Sequence, residues 1–416
     1  MNIAELARHH PRRHAAVRTT DYIFHQLIPY LGNKRKLLPL IGQAIEQTDL
    51  SRGSFVDLFA GSTVVARFAK SLGFRVLAND WEPYAYEIVQ GTIVCNRQPT
   101  FRKIGGVKEA FTQLAAEKPI TGYVTRHLCP KSDERPDPDR ERMFFTRRNG
   151  RRIDAMRERI ARWESEKRIS PIERSYLLSA FLYAASYVSN TSGVFKGFHR
   201  GWGGKTGTAL YRILSDIELN PPVLHDNGQL NLAVRDDAHV LAPELTNLLG
   251  ESPDIVYLDP PYNQHPYGSN YHVLNTIALW DHPPVSDALR PNGRLLEKSA
   301  IRKDWRSLRR SPYNAAAEAL PALKSLVGSI DARWIMLSYS TDGNIPFADV
   351  LRILGDRGRL TVLAKPYKRY RVSTPRMSPR SHNVEFVALV HTVSRSSRRQ
   401  TERLTQQVAD RLVRQG

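Results

Sequence analysis

Two short apolar runs, joined by a glycine turn and a helical pattern, organise the N-terminal part of the chain. Residues 54–60, SFVDLFA, lie between Gly53 and Gly61 and predict a buried strand of a parallel sheet. Residues 64–73 have the apolar spacing of a helix, and residues 74–78 predict a second strand. This strand, turn, helix and strand order is the βαβ unit of a doubly wound nucleotide-type fold.

An acidic residue marks each of these two predicted strands. Asp57 lies inside the first run, and Asn79-Asp80 ends the second. The turn between them, FAGSTVV, lacks the spaced glycines that cradle a pyrophosphate. An adenosine cofactor without phosphates therefore fits better than a dinucleotide, and Asp80 stands where such folds place the acceptor for the ribose hydroxyls. An ordinary βαβ unit with a turn glycine is the alternative.

A third apolar run, IVYL at 255–258, leads into the tetrapeptide Asp259, Pro260, Pro261 and Tyr262. Two prolines stiffen the loop and remove two N–H donors, so it presents carbonyl oxygens and one carboxylate. We predict that Asp259 and the Pro260 carbonyl accept the two hydrogens of an amine substrate and that Tyr262 stacks on a base. The alternative is a rigid loop whose tyrosine serves local packing.

The charge balance points to the kind of partner. The chain of 416 residues has 61 Lys and Arg against 41 Asp and Glu, a net charge of +20, which favours nucleic acid before an anionic membrane. Residues 41–94 have four basic against six acidic residues, whereas residues 254–416 have 25 against 14. We interpret the acidic stretch as the site of a cationic cofactor and the basic stretches as surfaces that face nucleic acid.

Several classes of protein are disfavoured. The length predicts two or three domains. No apolar run approaches the length of a membrane span, and the first residues, MNIAELARHHPRRH, predict no secretory signal. Two cysteines, Cys95 and Cys129, build no disulfide framework, so we expect a cytoplasmic protein. Thirteen histidines show no HxH or HExxH spacing, and we expect no metal site.

These blocks resemble the Dam-like class of S-adenosylmethionine-dependent DNA adenine-N6 methyltransferases. In the order of that class they are YLGNKRKLLP at 30–39, FVDLFAG at 55–61, Asn79-Asp80, residues 178–197, Asp237-Ala238, the tetrapeptide 259–262, residues 271–276 and residues 335–340. The resemblance covers roughly residues 22–95 and 172–392. Thr63 stands where many members have a second glycine, and residues 96–171 and 283–330 match nothing in the class.

The resemblance implies a mostly parallel, doubly wound, Rossmann-like α/β methyltransferase sheet. It assigns Asp80 to the ribose hydroxyls and Asp237 to the amino group of the cofactor. Lys34, or the backbone of Tyr30 or Gly32, would approach the cofactor carboxylate. The cofactor-binding residues it implies are Tyr30, Gly32, Asn33, Lys34, Asp57, Phe59, Ala60, Gly61, Asp80 and Asp237, with S-adenosylmethionine as cofactor and S-adenosylhomocysteine as product.

The reaction implied is methyl transfer to the N6 amine of an adenine flipped out of duplex DNA. Methylation of cytosine N4 is the nearest alternative because the acceptor chemistry is almost the same. A cofactor-binding DNA-binding module without turnover is the alternative from another class. We expect double-stranded DNA and no membrane as partners, a monomeric chain, and a separately encoded restriction endonuclease as a candidate partner.

The chain divides into a basic arm at 1–21, a catalytic domain at 22–95 and 225–393, an inserted helical DNA-recognition region at 96–224 and a basic tail at 394–416. RRNGRR at 147–152 predicts an arginine-rich hairpin turn, residues 195–205 a glycine and aromatic loop, and residues 365–380 a second basic hairpin. From Ser394 onward we expect a frayed segment or a solvated helix without a large core face. The candidate DNA-binding residues are Arg147, Arg148, Arg151, Arg152, Lys196, Arg200, Lys205, Lys368, Arg369 and Arg371.

Overall fold

A computed structural model of the chain describes residues 20–264, 266–303, 309–368, 382–395 and 397–413. The predicted basic arm lies almost wholly outside the described residues, as do the predicted DNA contacts of Arg369 and Arg371. The strands are β1 (Ser54–Asp57), β2 (Arg75–Asn79), β3 (Leu232–Val234), β4 (Ile255–Leu258), β5 (Trp334–Ser340), β6 (Arg359–Lys368) and β7 (His382–His391).

The helices before β3 are α1 (Leu38–Glu46), α2 (Val64–Ser71), α3 (Pro83–Val89), α4 (Val107–Ala116), α5 (Tyr123–Leu128), α6 (Arg147–Ser165), α7 (Pro171–Tyr187) and α8 (Leu210–Ile213). Those after it are α9 (Ala238–Leu241), α10 (Leu245–Leu249), α11 (Tyr267–Asn270), α12 (His272–Leu279), α13 (Ala316–Ser329), α14 (Phe347–Arg357) and α15 (Arg398–Val413). Short 3-10 turns occupy Lys34–Lys36, Ala242–Glu244 and Pro312–Asn314, and a π-helical turn occupies Gln90–Val94.

The seven strands form one sheet in the order β3-β2-β1-β4-β5-β7-β6. The first five pair in parallel, and β7 runs antiparallel to both β5 and β6. This confirms the predicted mostly parallel, doubly wound α/β architecture. The strand order reverses between β1 and β4, and open sheets of this type bind ligands beyond the carboxyl ends of the strands at that point.

The register of β1 and β4 brings two of the predicted acids together. Asp57 pairs with Tyr257, so the end of β1 lies beside the start of the tetrapeptide that begins at Asp259. Both strands are buried at every position, because helices cover both faces of the sheet. One helical layer, with α1 and α2, packs on Phe55 and Val76, and the other, with α9, α10, α13 and α14, packs on the opposite face.

Residues 96–224 contain five helices and no strand, as expected for an inserted helical region. Helix α7, most of whose residues are buried, begins at a capping box in which Ser170 and Glu173 exchange hydrogen bonds. Its apolar side chains share one core with α3, α6 and α12. The inserted region is therefore packed against the helices that follow β2 and the tetrapeptide.

The predicted hairpin turn at RRNGRR is wrong: residues 147–152 are the first turns of α6. The Thr146 side chain accepts the Asn149 N–H, so a helix cap forms where the Asn-Gly pair suggested a turn. Gly150 serves close packing instead, since a Cβ there would lie 2.3 Å from Cys129 Sγ. For this reason the local turn signal was misleading.

The predicted pairing near the C-terminal end is partly confirmed. Strands β6 and β7 are antiparallel neighbours, while their connection lies outside the described residues. The prediction of a solvated helix without a large core face from Ser394 onward agrees with helix α15, whose side chains are mostly exposed. Helix α15 packs against α14 and β6, and Val408 is only 2% exposed. Leu404 and Val408, four residues apart, place two apolar side chains on one face of this otherwise polar helix.

Candidate cofactor and catalytic site

A pocket of about 730 Å³, open to solvent, lies at the carboxyl ends of β1, β2 and β4. Its lining includes Tyr30, Phe59, Asp80, Glu82, Asp237, Asp259, Pro261 and Tyr313. The predicted cofactor and catalytic blocks therefore meet in one cavity, although the corresponding segments are far apart in sequence.

Asp80 is held by the backbone around it. Its two carboxylate oxygens accept the Gly61 N–H at 2.8 Å and the Glu82 N–H at 2.9 Å. Burial raises the pKa of Asp80 to about 6, although these two hydrogen bonds oppose the rise. The carboxyl is fixed in position, lines the pocket, and changes its charge close to neutral pH.

The turn after β1 is shaped by close packing. Gly61 has a φ of +48°, and a Cβ on it would lie 2.7 Å from the Tyr30 ring. Tyr30 in turn stacks on Tyr271, with ring centroids 5.1 Å apart. Thr63, which replaces the second glycine of the resembling class, adopts a φ of +68° and is fully buried. Thr63 therefore adopts a left-handed backbone conformation that normally favours glycine, although it is not a glycine.

Asp57 lies deeper than Asp80 and is only 1% exposed. It accepts the Phe59 N–H at 3.2 Å. Burial raises the pKa of Asp57 well above its usual range, and the nearby Asp259 carboxyl raises it further. Asp57 therefore holds the loop after β1 and lies electrostatically close to the tetrapeptide.

Asp259 is bound by a buried lysine. Lys34 Nζ lies 2.8 Å from Asp259 Oδ1, and Ser338 donates to the same oxygen at 3.2 Å. Lys34 is 4% exposed and also donates to the Gly32 carbonyl at 3.0 Å. Burial would lower the pKa of Lys34, but Asp259, Tyr262 and Glu385 raise it above its usual range. Burial raises the pKa of Asp259, and Lys34 opposes that rise.

Tyr262 is oriented from three sides. Its carbonyl accepts the Asn344 N–H at 2.8 Å, its ring lies edge-on to Tyr339, and Lys34 Nζ lies 5.1 Å from the ring centroid. Gly32 brings the backbone of the 30–39 block close to the same ring, because a Cβ there would lie 3.4 Å from the tyrosine hydroxyl. The block at 30–39 and the tetrapeptide are therefore in direct contact.

The other predicted cofactor residues hold the walls of the pocket. Asn33 caps the turn at Lys34–Lys36 and donates to the Ser62 hydroxyl at 3.3 Å. Asp237 caps α9 by accepting the His239 N–H at 2.8 Å. Ala60 donates its N–H to the Asn79 carbonyl at 2.9 Å, which ties the turn after β1 to the end of β2.

Sequence reasoning missed Glu82, which lines the pocket two residues after Asp80. It is 1% exposed, pairs with Arg309 at 3.1 Å and accepts a hydrogen bond from Asn275. Its Oε1 atom is buried with no hydrogen-bond partner among the described residues. Burial raises the pKa of Glu82 to about 7, and Arg309 opposes the rise. The acidic pair in Asn-Asp-Trp-Glu was the available signal.

An aromatic wall was also missed. Tyr313 stands edge-on to Phe59 with centroids 6.0 Å apart and stacks on His239 at 5.8 Å. Its hydroxyl lies 3.2 Å from His239 Nε2. Tyr313 lies in the stretch 283–330, where the resemblance offered no guide. Only the tertiary fold brings this ring to the pocket.

The five described arginines among the candidate DNA-binding residues have partners within the protein. Arg148 pairs with Asp216 at 3.0 Å and Arg200 with Asp139 at 2.8 Å. The guanidinium groups of Arg147, Arg151 and Arg152 donate to the carbonyls of Pro130, Pro119 and Ala115. Lys196 and Lys205 lie on the loop before α8, and the side chain of Lys368 is not described.

Among the described residues, no group of three or more His, Cys, Asp or Glu side chains is placed to hold a metal ion. Within the same residues, no helix combines the length and apolar character needed to span a membrane.

Comparisons with known proteins show the family to which the chain belongs. Residues 30–292 match the family described as D12 class N6 adenine-specific DNA methyltransferase. The chain is similar to modification methylase StsI of Streptococcus sanguinis, with 30% identity over 82% of this chain and 48% of that protein. It is similar to type II methyltransferase M.NlaIII of Neisseria lactamica, with 30% identity over 82% of this chain and 92% of that protein.

A third relative, type II methyltransferase M.FokI of Planomicrobium okeanokoites, is 28% identical over 88% of this chain and 54% of that protein. The chain thus spans about half the length of some curated relatives and nine tenths of others. No solved structure matches it. The chain belongs to the D12 class N6 adenine-specific DNA methyltransferase family, which implies the use of S-adenosylmethionine.

Proposed function

We propose that this chain transfers a methyl group from S-adenosylmethionine to the N6 amine of an adenine flipped out of duplex DNA at a specific sequence. The observation that carries the proposal is the contact between the two halves of the site. The tetrapeptide at the end of β4 shares one pocket with Asp80 at the end of β2. An amine acceptor and an adenosine-binding acid therefore lie in the same cavity.

The pocket suits the cofactor in three respects. Asp80 and Glu82 offer carboxylate oxygens for the ribose hydroxyls, and the Glu82 Oε1 atom has no protein partner in the described structure. Gly61, whose N–H is bound by Asp80, lets the turn after β1 pack directly against the Tyr30 ring that lines the pocket. Phe59 and Tyr313 provide apolar surface for an adenine ring, with Asp237 at the same wall. The remaining cofactor residues, Tyr30, Gly32, Asn33, Asp57 and Ala60, shape and hold these walls.

The catalytic residues act through position and charge. The exocyclic amine of adenine is a weak nucleophile because its lone pair is delocalised into the ring. Lys34 and Ser338 both bind Asp259 Oδ1, so Oδ2 is the oxygen assigned to the substrate amine. Together with the Pro260 carbonyl it accepts the two N6 hydrogens and directs the lone pair away from the ring. The bound cofactor supplies an activated methyl group on a sulfonium, so the main contributions of the protein are orientation and electrostatics.

Lys34 has a different role in this proposal from the one predicted from the sequence. Its ammonium group is bound to Asp259 and Gly32 rather than turned towards a cofactor carboxylate. It keeps the buried Asp259 charged and fixed beside the target amine. Pro261 stiffens the loop, and Tyr262 stacks on the flipped base, which recovers about 1–3 kcal/mol of lost stacking.

The proposal includes the arrangement of the chain on DNA. Residues 22–95 and 225–393 form the catalytic domain, the helical region 96–224 recognises the target, and the basic arm and tail at 1–21 and 394–416 lie along the duplex. Lys196, Arg200 and Lys205 on the loop before α8, with the arginines that open α6 and the basic residues 368–371, contact the DNA backbone. The chain acts as a monomer, alongside a separately encoded restriction endonuclease.

Digestion of treated DNA to nucleosides, followed by mass spectrometry, tests the reaction. We expect N6-methyladenine and S-adenosylhomocysteine in equal amounts. N4-methylcytosine would support the cytosine alternative, and DNA binding without any modified nucleoside would support a module without turnover. Mapping modified bases on DNA from cells that express the chain would then give the recognition sequence.

A further inference from the structure

Beside the cofactor pocket lies a second cavity that the proposed mechanism does not use. It is open to solvent, and its empty volume of about 640 Å³ includes the solvent at its mouth. Its lining includes Ser269, Arg309, Arg310, Ser311, Asn314 and Ala315. Ser311 and Asn314 also line the cofactor pocket, so the segment 309–315 forms a wall between the two cavities.

The lining of the second cavity is rich in hydrogen-bond donors and positive charge. The Arg309 side chain is 21% exposed and pairs with Glu82, while the Arg310 side chain is 61% exposed and pairs with Glu318. Guanidinium groups match the geometry of phosphate oxygens, and serine and asparagine side chains add neutral donors. Helix α13 begins at Ala316 and directs the positive end of its dipole to this wall. This chemistry suits a phosphate group.

The wall is joined to the catalytic loop by one direct hydrogen bond and by two more that run through Asn344. Asn314 Nδ2 donates to the Asn263 carbonyl at 2.7 Å, directly after the tetrapeptide. Asn344 donates its side-chain amide to the Tyr313 carbonyl at 2.9 Å and its backbone N–H to the Tyr262 carbonyl at 2.8 Å. A phosphate held by this wall would therefore have a fixed position relative to Tyr262. A flipped nucleotide stays joined to its strand through its phosphates, so one of them must lie near the base site.

We propose that this cavity binds a phosphodiester of the DNA strand that carries the target base. The inference rests on the proposed function, because it assigns part of the DNA substrate to a defined cavity. Inorganic phosphate has the same charge chemistry, and the attachment of the wall to the catalytic loop favours the DNA backbone. Arg309, which lies between the cavity and Glu82, also connects this phosphate site with the cofactor pocket.

Ala315 offers a test that preserves the fold. It is the N-cap residue of α13 and makes no side-chain cap. Ala315→Asp and Ala315→Asn both supply a cap, but only aspartate adds negative charge to the cavity. In the full chain, we expect Ala315→Asp to bind DNA more weakly than Ala315→Asn. The slope of log affinity against log salt should also be smaller by about 0.9, the value for one lost phosphate contact. Affinity for S-adenosylmethionine should be equal in the two variants.

A second pair of variants removes positive charge directly. Arg310→Gln should lower the salt slope by about 0.9 as well. Arg352→Gln is the matched control, because Arg352 is similarly exposed at 58% and pairs with Asp349 on a helix outside the cavity. That control should leave the slope unchanged.

Equal salt slopes for Ala315→Asp and Ala315→Asn would overturn the proposal. It would also fall if inorganic phosphate raised the melting temperature of Ala315→Asn more than that of Ala315→Asp while the DNA slopes stayed equal, since the cavity would then take a free anion. If the two Ala315 variants showed the expected difference in salt slope but the wild-type chain transferred no methyl group, the phosphate site would be supported and the proposed function contradicted.

Discussion

The two edges of the pocket hold their carboxylates in different ways. On the β1 and β2 edge, Asp57 and Asp80 are held by backbone N–H groups, and no lysine or arginine contacts either carboxylate among the described residues. On the β4 and β5 edge, Asp259 is held by the Lys34 ammonium and the Ser338 hydroxyl. Asp57 and Asp80 are buried, whereas the Asp259 side chain is 18% exposed, so the two edges differ in both exposure and partners.

This difference in partners matches the different roles proposed for the two edges, cofactor binding by Asp80 and catalysis by Asp259. Burial raises the pKa of Asp57 and Asp80, and backbone N–H groups oppose that rise, as Arg309 also does for Asp80, so these carboxyls are held mainly by hydrogen bonds. Burial also raises the pKa of Asp259, but there the Lys34 ammonium opposes the rise and favours the charged form next to the reacting amine. The first arrangement suits ribose hydroxyls, and the second suits the orientation of an amine whose lone pair must be localised.

The largest expected effects are on kcat for one edge and on cofactor affinity for the other. Asp259→Asn should lower kcat by about 100-fold or more, because an acceptor placed at the reacting amine is lost. Asp80→Asn should weaken S-adenosylmethionine binding by about tenfold or more, the value of a hydrogen bond to a charged group, with little change in kcat at saturation. Single-turnover methylation and calorimetric titration of the cofactor measure the two quantities.

The control for this comparison is DNA affinity, which should change little in either variant. Asparagine is the better substitution at 259, since alanine would also leave the buried Lys34 without its partner at a cost of about 3–5 kcal/mol. If Asp80→Asn and Asp259→Asn altered kcat and cofactor affinity in the same proportion, the division between the two edges would be wrong.

A second test removes the positive charge of Lys34 from the β4 and β5 edge of the pocket. Lys34→Met leaves Asp259 buried with no charge to oppose the rise in its pKa, and an opposite charge at this range lowers a carboxyl pKa by about 1–3. Activity at pH 7 should therefore fall by about tenfold or more and should recover as the pH rises, because Asp259 then loses its proton. The pH profile of kcat measures this effect.

A purely structural role for Lys34 would give a loss of activity that is the same at every pH. Arg35→Met provides the matched control, because Arg35 is the neighbouring cation and contacts Phe24 rather than Asp259. Its pH profile should follow that of the wild type.

The smallest expected effect is on the pH dependence of cofactor affinity, which depends on Asp80 at the β1 and β2 edge. Burial raises the pKa of Asp80 to about 6, so the carboxyl gains a proton as the pH falls through that value. Cofactor affinity should fall below pH 6 by at most about tenfold per pH unit, because one acceptor loses its charge. The stability contribution has the opposite sign: it is present at low pH and is lost as the pH rises through about 6.

Calorimetric titration of S-adenosylmethionine between pH 5 and 7 measures this dependence. Asp80→Asn should flatten it, and Glu82→Gln should remove only the part near pH 7, where the pKa of Glu82 lies. An unchanged pH dependence in Asp80→Asn would assign the effect to another group.

The sequence predicted the parts of the site that depend on local pattern. The run before Asp259 and the βαβ unit around Gly61 fold as expected, because buried parallel strands read as continuous apolar runs. Tyr313 and Ser338 were missed because segments distant from the cofactor motifs bring them to the site, whereas Glu82, two residues after Asp80, was missed despite a local signal. The hairpin at Gly150 was predicted wrongly because that glycine makes room for Cys129, a contact that no local pattern contains.

The position of β7 in the sheet has a consequence for the order in which the site is built during synthesis. Strand β7 is the last strand in sequence, yet it lies between β5 and β6. A growing chain can pair β1 with β2 early, but β5 has an unpaired edge until residues 382–391 leave the ribosome. Strand β5, WIMLSYS, is buried at every position in the finished fold, and an exposed apolar edge favours aggregation. Ser338, which binds Asp259, pairs with Val387 of β7. The β1 and β2 edge of the pocket can therefore form before the β4 and β5 edge is complete.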